Sequence, residues 1–319
     1  MPKSRAYPAN GAAVSTPLAE PLLAAGPYRR ALIVANPIAG RGRGARAAEE
    51  LCAGLRAAGV PAELHLTSGR RDGWRRLRSL GASLDLVVSV GGDGTLSEVL
   101  AGLVDRSVPV AQLPLGTANV LASELGLPRD VDGAIETILG GHTTWLDAAE
   151  VGGRLSFLCV GSGIDGLAVA EVERRRRGPI SKWDYVTALA STLRRYRPPA
   201  LRLHVDGTEV PGEFGFVLIS NVREYGAFFH LSSAGRRDDG RVEAYALRHA
   251  EFFGLLRLAG TAFWRELPGA RTEFFQGREF RVEAPPDTPY QVDGDLGGHG
   301  SFDYRVTGER FRILVPAPA

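Results

Sequence analysis

The stretch LDLVVSVGGDGTLSEVLAGLV, residues 84–104, places an apolar run before a glycine-rich loop and a helical pattern after that loop. The run LDLVVSV predicts a strand that is buried on both faces, as a central strand of a parallel sheet is. The segment TLSEVLAGLV predicts a helix directly after the loop. Strand, loop and helix in this order indicate one repeat of an α/β fold.

The same repeat continues through the first half of the chain. Further strands are predicted over RALIVANP, PAELHLT and VPVAQLP, and further helices over ARAAEELCAGLRAAG, DGWRRLRSL, VLASELG and DVDGAIETILGG. This alternation predicts a parallel sheet that binds its ligand at the carboxyl ends of the strands. Three loops lie at such ends, over residues 36–44, 91–95 and 114–119.

The second half, from about Leu146 onward, has a different pattern. Its strands come with the hairpin signals Gly152-Gly153, Asp206-Gly207 and Asp239-Gly240. Two helical stretches interrupt them, SKWDYVTALASTLRRY and AEFFGLLRLAGTAFWREL. We therefore expect a mainly antiparallel β domain with inserted helices. Residues 1–28 are rich in Ala and Pro and are expected to form a disordered tail rather than a signal peptide.

The composition excludes several classes of protein. The formal net charge of +2 over 319 residues gives no global field that would favour nucleic acid. Two cysteines, Cys52 and Cys159, lie in apolar surroundings and indicate a reduced, cytoplasmic protein. No apolar run approaches the roughly 18 residues that a membrane span needs. Lysine occurs only at Lys3 and Lys182, and neither has the sequence context of a Walker A loop.

The loop GGDGT indicates a phosphate site. Gly91 and Gly92 have no Cβ atoms, so backbone amides can approach a phosphate closely, and the next helix adds the positive end of its dipole. A carboxylate such as Asp93 would repel a polyphosphate unless Mg²⁺ or a proton-donating hydroxyl lies beside it, and both occur in phosphoryl transfer. Thr95 and Glu98 also fit a capping box, so a structural role for each competes with a functional one.

The other two loops carry similar signals. NPIAGRG combines a proline that fixes the turn, glycines that free the backbone and the cationic donors Arg41 and Arg43. Asn36 would either hold this loop or touch the ligand. In PLGTAN, Thr117 would either donate to a phosphate or cap the helix that follows.

Three further motifs have an ordinary structural explanation. GSGIDG, residues 161–166, matches G-x-G-x-x-G but lies in the β-rich half, which favours structural glycines over cofactor binding. The carboxylates of GRRDDGR and QVDGD are typical of Asp-Gly turns. The run RRRR, residues 174–177, is typical of a solvated face, and acidic lipid headgroups are the alternative.

Taken together, the three loops resemble the catalytic domain of the diacylglycerol kinase and sphingosine kinase family, and in particular its bacterial soluble lipid kinase branch. The motifs that carry the resemblance are NPIAGRGRG, VVSVGGDGTLSEVLAGL and PLGTANVLASELGLP. It continues to the C-terminus through GSGIDGLAVAEVE, SKWDYVTAL, FVLISNVREYGAFFHLSSAGRRDDGRVE and QVDGD.

The resemblance implies a nucleotide-binding α/β domain over residues 29–146 and a β-sandwich domain for the lipid acceptor over residues 147–308. The active site would lie in the cleft between them, and a strand over residues 309–316 would return to the first domain. The implied activity is transfer of the γ-phosphoryl group of MgATP to a lipid hydroxyl. The implied partner is a lipid substrate at a membrane surface, reached by peripheral association from the cytoplasm.

The resemblance also implies roles for individual residues. The ATP phosphates would lie against Asn36, Pro37, Gly40, Thr67, Gly91, Gly92, Asp93, Gly94, Thr95 and Thr117. A Mg²⁺ ion would be held by Asp239 and by the backbone oxygens of Arg236 and Arg241. The family's general base is a Glu in a DGE motif, where this chain has Asp295 in DGD. Because Asp is one methylene shorter, either Asp295 or Asp93 would accept the proton of the hydroxyl.

Alternatives remain open from the sequence. An NAD kinase shares GGDGT but is not expected to carry NPIAGRG and PLGTAN with it, and a homologue that binds nucleotide or lipid without turnover would explain the shortened base. An oxidoreductase built on GSGIDG is favoured least. The acceptor is equally open among diacylglycerol, sphingoid base, ceramide, monoacylglycerol and phosphatidylglycerol. Sheet edges in the second half would allow a homodimer.

Overall fold

The structure is a computed structural model that describes residues 28–175, 196–225, 229–231, 236–248 and 272–318, with residues 20–21 and 187. The expected N-terminal tail lies almost wholly outside this part, as do the two predicted inserted helices and the second half of the run RRRR. In the part described, no helix is both long enough and apolar enough to cross a membrane.

The first half alternates strands with helices, as predicted. Its elements in chain order are β1 Glu20–Pro21, β2 Ala31–Ala35, α1 Ala39–Gly42, α2 Gly44–Ala57, β3 Ala62–Leu66, α3 Asp72–Leu80, β4 Leu86–Gly91, α4 Asp93–Gly102, β5 Val110–Pro114, α5 Val120–Glu124 and α6 Val131–Gly140. Strands β3, β2, β4 and β5 pair in this spatial order and are all parallel. The predicted parallel sheet is therefore confirmed.

Helices cover both faces of this sheet because successive strand residues point to opposite sides. Leu32 and Val87 pack in one core cluster with residues of α3 and α4. Ile33 and Val88 pack in a second cluster with residues of α2 and α6. Strand β4 is fully buried in the middle of this sheet. The loop that follows β4 therefore lies at the edge formed by the carboxyl ends of the parallel strands.

The second half is mainly antiparallel. Its elements are β6 His142–Val151, β7 Arg154–Ser156, β8 Cys159–Ser162, α7 Ile164–Arg175, β9 Arg202–Val205, β10 Thr208–Glu209, β11 Phe216–Ser220, β12 Glu224–Tyr225, β13 Phe229–His230, β14 Val242–Leu247, β15 Glu273–Gly277, β16 Glu279–Glu283, β17 Pro289–Val292, β18 Asp295–His299 and β19 Phe302–Leu314. Strands β15-β14-β11-β8-β17-β18 form one antiparallel sheet. A shared core, which includes Leu203, Val217 and Phe280, packs it against strands β9, β16 and β19 of the larger sheet.

Two of the three predicted hairpins are present. Gly152-Gly153 joins β6 to β7, and Asp206-Gly207 joins β9 to β10, with positive φ at every position as a two-residue hairpin turn requires. The third prediction is wrong. Asp239-Gly240 lies in a turn before β14, which pairs with β11 and β15. Asp293-Gly294 instead joins the paired strands β17 and β18.

The last strand, β19, connects the two halves. Its first part pairs with β16 and β6, and its second part pairs with β6 and, at Ile313, with Val110 of β5 in a parallel arrangement. Phe311 of β19 is fully buried in the first core cluster, where its ring meets that of Phe157 edge-on at 5.1 Å. The division of the chain near Leu146 stays a prediction.

Candidate active site

Two of the three predicted loops are in backbone contact. The amide of Leu115 donates a hydrogen bond to the carbonyl of Gly91, with a length of 2.8 Å. A Cβ atom on Gly116 would overlap Gly92 Cα, so this contact requires glycine. The carboxyl ends of β4 and β5 therefore present one continuous loop surface.

Asn119 holds the PLGTAN loop in shape. Its side chain accepts the Gly116 amide at 2.8 Å and donates to the Gly116 carbonyl at 2.9 Å. Its φ of 51° is left-handed, which Asn tolerates better than most residues. Helix α5 begins at Val120 with Asn119 as its N-cap residue, and both alternatives for Thr117 stay predictions. Sequence reasoning did not single out Asn119.

The third loop, NPIAGRG, packs against the PLGTAN loop, and its Asn36 amide donates to the Val90 carbonyl at the end of β4 at 2.9 Å. Gly40 has a left-handed φ of 60°, and a Cβ atom there would lie 3.3 Å from Leu115 Cβ. Asn36 Oδ1 accepts a hydrogen bond from the amide of Ile38 at 3.2 Å. Of the two roles predicted for Asn36, this bond corresponds to the one that holds the loop. Pro37 lies between Asn36 and Ile38 in the same turn. All three loops thus meet at one edge of the sheet.

Thr67 lies at the same edge, immediately after β3. Its amide donates to the carbonyl of Ala35 at 2.8 Å, and its hydroxyl lies 3.2 Å from the same oxygen. Since Ala35 ends β2 directly before Asn36, these bonds fix Thr67 beside the NPIAGRG loop.

Asp93 lies at the meeting point of the GGDGT and PLGTAN loops. Burial raises the pKa of its carboxyl to about 6, and the backbone amides of Val120 and Asn119 oppose this rise. The neighbouring carboxylate of Asp293 adds to it. Oδ1 of Asp93 is buried and has no hydrogen-bond partner in the described structure. A buried acceptor without a partner calls for an explanation, and a bound ligand would provide one for Asp93.

The predicted capping box at Thr95 and Glu98 is wrong. Helix α4 begins at Asp93, with Gly92 as the extended N-cap residue and no side-chain cap. Thr95 is therefore the third residue of the helix. The carboxylate of Glu98 accepts the amides of Arg71 at 2.9 Å and Trp74 at 3.3 Å. Glu98 thus stabilises the start of α3 rather than that of its own helix.

Asp293 is the most heavily bonded carboxylate of the site. It lies in the β17–β18 turn with a left-handed φ of 52°. Its oxygens accept five hydrogen bonds, from Ser156 Oγ and the amides of Leu158 and Cys159 on Oδ1, and from the Phe157 amide and Ser97 Oγ on Oδ2. Burial raises the pKa of this carboxyl, and the donors oppose that rise. The pattern identified Asp293 as a turn residue, but it gave no sign that the side chain is buried.

These bonds place the DGD turn against the helix that starts at Asp93. Ser97, which donates to Asp293 at 3.3 Å, follows Asp93 by four residues, or about one helical turn. Asp295 begins β18 two residues after Asp293. Its carboxylate is about half-exposed and forms an ion pair of 2.9 Å with Arg70 of the β3–α3 loop. Both predicted candidates for the base therefore lie on connected elements.

A buried polar chain continues behind this turn. Gln291 accepts the Gly294 amide at 2.8 Å and donates to Asp165 Oδ2 at 2.8 Å, while the Tyr225 hydroxyl donates to Asp165 Oδ1. Burial raises the pKa of the Asp165 carboxyl. It also raises the pKa of the Cys159 thiol, with the negative charges of Asp165 and Asp293 adding to the effect.

The glycines of GSGIDG have structural roles, as predicted. A Cβ atom on Gly161 would overlap the Asp165 carboxylate, and one on Gly166 would overlap the carbonyl of Pro289. Gly163 has a left-handed φ of 95°. The motif thus permits close packing of β8 and α7 against β17.

The predicted metal residues lie in a separate turn. Asp239 Oδ1 accepts the Arg241 amide at 3.0 Å, and the Gly240 amide donates to buried Asp147 Oδ2 at 2.6 Å. Burial raises the pKa of Glu243 to about 8, and the charge of Asp239 adds to this rise. The pKa of Asp147 is raised for the same reasons, burial first. The turn therefore gathers the carboxylates of Asp147, Asp239 and Glu243 in a partly desolvated place, where Arg310 pairs with Asp147 at 3.1 Å.

The donor set of this turn fits Mg²⁺ in type, because Asp239 and the carbonyls of Arg236 and Arg241 all supply oxygen. A cation would also offset the crowding of carboxylates. Over the described ranges, no three His, Cys, Asp or Glu side chains are placed to hold a metal. Backbone carbonyls and water would therefore have to complete such a site.

Two families match the chain. Residues 30–151 match the family described as "Diacylglycerol kinase catalytic domain", and residues 158–315 match "YegS C-terminal NAD kinase beta sandwich-like domain". The first match contains the three loops and the second contains the DGD turn. Together they account for most of the chain.

Individual proteins are similar over nearly the whole length. The diacylglycerol kinase of Bacillus subtilis (strain 168) is 25% identical, with 90% of this chain and 97% of the relative covered. That of Mycobacterium tuberculosis (strain ATCC 25618 / H37Rv) is 29% identical, with 88% and 93% covered. A crystal structure described as a candidate diacylglycerol kinase from Bacillus anthracis str. Sterne has a TM-score of 0.75 and 20% identity, with 92% and 97% covered. This last likeness supports the fold.

Proposed function

The chain belongs to the diacylglycerol kinase family, and on that premise we propose that it transfers the γ-phosphoryl group of ATP to a hydroxyl group of a lipid. The observation that carries this proposal is the open, buried Oδ1 of Asp93 where the GGDGT and PLGTAN loops meet. A kinase needs at that place a group that orients the acceptor hydroxyl or takes its proton.

The loops bind the phosphates of ATP in this proposal. Backbone amides at the start of α4, over residues 92–94, face the nucleotide, and the N-terminus of α4 adds its dipole. The amides of Ile38 and Gly116 are bonded to Asn36 and Asn119 and give the two neighbouring loops their shape. Thr67 contributes from the neighbouring loop. Because no Walker A lysine is present, arginine side chains at this edge supply the compensating positive charge.

The reaction is a single in-line displacement. The acceptor oxygen forms a bond to the γ-phosphorus while the bond from that phosphorus to the β–γ bridging oxygen breaks, and ADP leaves with the electron pair. The proton of the hydroxyl passes to a carboxylate. Asp295 is at the position of the family's base, and Asp93 orients the hydroxyl or accepts the proton in its place.

Mg²⁺ is held at the Asp239 turn in this proposal, by Asp239 and the carbonyls of Arg236 and Arg241. When bound there, the ion supplies positive charge that stabilises the turn and the carboxylates packed around it. The Gly240 amide, bonded to Asp147, holds the turn in place.

The second half of the chain provides the acceptor site. We propose the domain limits 29–146 and 147–308, with residues 309–316 completing the first domain, and a lipid site on the β-rich side of the cleft. A lipid acceptor requires the protein to reach a membrane surface, so we propose peripheral association from the cytoplasm. A homodimer through a sheet edge is a further proposal.

The test is incubation of the purified protein with labelled ATP and micelles that each contain one lipid. We expect label in one lipid of a panel of diacylglycerol, monoacylglycerol, sphingosine, ceramide and phosphatidylglycerol. NAD forms a parallel arm, and its phosphorylation in place of lipid would overturn the proposal. Binding of ATP with no transfer to any acceptor would favour a homologue without turnover.

A further inference from the structure

Arg70 lies on a loop whose backbone is fixed on both sides. Asp72 Oδ2 accepts the amide of Ser68 at 2.7 Å and its hydroxyl at 2.9 Å. On the other side, the carboxylate of Glu98 accepts the amide of Arg71. The side chain of Arg70 is nevertheless 68% exposed. The fold thus presents an exposed guanidinium on a fixed backbone, at the carboxyl end of β3.

The guanidinium of Arg70 connects three separate elements. It pairs with Asp295 Oδ2 at 2.9 Å and lies 3.6 Å from Glu173 Oε1 of α7. Arg70 is the one basic side chain found within ion-pair distance of Asp295 in the described ranges. While this pair stands, the guanidinium occupies one acceptor position of Oδ2, and the other acceptor positions of the carboxylate stay available. The pair therefore competes with the acceptor hydroxyl for Oδ2.

Such a pair is easily exchanged. Exposed ion pairs contribute about 0–1 kcal/mol, because water and salt screen them. A terminal phosphate offers arginine a bidentate acceptor of higher charge than a single carboxylate. Arg70 follows Thr67 by three residues and stands at the same sheet edge as the three glycine loops. A triphosphate bound against those loops would therefore compete directly with Asp295 for Arg70.

We propose that Arg70 binds the γ-phosphate of ATP and that, in doing so, it leaves Asp295 and frees Oδ2 for the acceptor hydroxyl. This inference rests on the proposed function and assigns a residue outside the glycine loops to the same site. It couples the two substrates, because a lipid hydroxyl approaches Oδ2 without competition only when a triphosphate is present. ADP, which lacks the γ-phosphate, leaves the ion pair intact.

The test compares ATP and ADP affinity in Arg70→Ala, Arg70→Lys and the full-length wild type by titration calorimetry with Mg²⁺ present. We expect Arg70→Ala to weaken ATP binding about tenfold, equivalent to about 1.4 kcal/mol, and to leave ADP binding unchanged. The ATP affinity of Arg70→Lys should lie between those of wild type and Arg70→Ala, since lysine keeps the charge but lacks the planar guanidinium. Arg75→Ala, which removes an exposed arginine from the adjacent helix α3, is the matched control and should change neither affinity.

Three outcomes overturn the inference: equal loss of ATP and ADP affinity in Arg70→Ala, no loss of either, or a wild type that binds neither nucleotide. The proposed function is tested separately, by the assay of phosphorylation with the panel of lipids. A wild type that discriminates ATP from ADP through Arg70 but phosphorylates no lipid supports the inference and contradicts the function. Melting temperatures within a few degrees of wild type establish that the exposed variants are folded.

Discussion

At the scale of single residues, Asp93 is the side chain on which the proposed chemistry depends most. Its buried Oδ1 has no partner, and an amide in its place could not accept a proton. We expect Asp93→Asn to reduce kcat for lipid phosphorylation by at least about 100-fold, the range of general-base contributions, while the protein stays folded. Steady-state assay with circular dichroism checks both.

The control for this variant is Asp287→Asn, which makes the same chemical change on an exposed loop residue. It should retain wild-type turnover. Near wild-type turnover of Asp93→Asn itself would show that the central role given to Asp93 is wrong.

Asp93 should also impose a pH dependence on stability. Its folded pKa of about 6 exceeds the value of about 3.9 expected in the unfolded chain, so between these values the folded state binds more protons. The free energy of unfolding therefore falls as pH rises from about 4 to 6. Asp93→Asn has no carboxyl at this position, so its free energy of unfolding should not show this decrease. Relative to wild type, the variant should therefore become more stable by about 2–3 kcal/mol between pH 4 and pH 7. Urea unfolding of both proteins at each pH measures the difference.

Because the comparison is between two proteins at each pH, other titrating groups cancel to first order. A stability difference that does not change between pH 4 and pH 7 would show that the Asp93 carboxyl is not desolvated in the folded protein.

The sequence could indicate Asp93 because its neighbours are local: the glycines, the preceding strand and the following helix are all within a few residues. It could not indicate that Asp293 is buried. The donors to that carboxylate come from residues 97 and 156–159, well over 100 residues away. Only the fold reveals that a turn aspartate also holds two elements together.

At the scale of elements, the contact between the GGDGT and PLGTAN loops is a sharp test. A methyl group at position 116 would overlap Gly92 and lie 2.6 Å from Asn119 Oδ1. We expect Gly116→Ala to destabilise the protein by about 1–3 kcal/mol through overpacking and to weaken ATP binding. Denaturant unfolding and calorimetry measure these effects.

Gly94→Ala is the matched control for stability. A Cβ atom there meets no neighbour, and the residue lies in the first turn of α4. Alanine should therefore leave stability unchanged or raise it by up to about 1 kcal/mol. If the two variants were equally stable, the loops would not be in contact as described.

Element boundaries were harder to predict than element types. The strands and helices of the first half follow from apolar periodicity, and each was found. The capping box failed because α4 begins at Asp93, two residues before Thr95, and because the carboxylate of Glu98 is bound by amides at the start of α3. Local motif rules do not include a competitor that reaches the same side chain from elsewhere in the fold.

At the scale of the whole molecule, Phe311 of β19 is the side chain to test. It is fully buried between the parallel sheet and Phe157. We expect Phe311→Ala to cost about 3–5 kcal/mol, as truncation of a buried aromatic usually does. Because the core cluster of Phe311 includes residues of both halves, we expect a single unfolding transition whose urea midpoint is lower in the variant. Tryptophan fluorescence during urea unfolding measures this midpoint.

Glu309→Ala, two residues earlier on β19, is the control. Glu309 is about half-exposed and forms an ion pair of 3.4 Å with the partly buried Arg106, which keeps its hydrogen bonds to the carbonyls of Leu100 and Leu103 without it. Loss of the Glu309 carboxylate should cost less than about 1 kcal/mol. A Phe311→Ala protein in which one half unfolds alone while the other keeps its wild-type midpoint would contradict a shared core.

The assembly of the site from both halves could be expected only from family resemblance. Arg70 and Asp295 are 225 residues apart in sequence, and no local pattern joins them. Their pairing depends on how the β-rich half packs on the parallel sheet. Sequence periodicity predicts each half separately, whereas this contact is a property of the complete fold.

The path of β19 has a consequence for how the protein is made. Strand β5 receives its outer neighbour from β19, whose Ile313 follows its partner Val110 by 203 residues. While the ribosome is still adding the second half, the edge of the parallel sheet therefore stays uncovered, and such edges invite pairing with other chains. Since contacts so distant in sequence also slow folding, the catalytic half should mature only after β19 has been synthesised and should depend on chaperones until then.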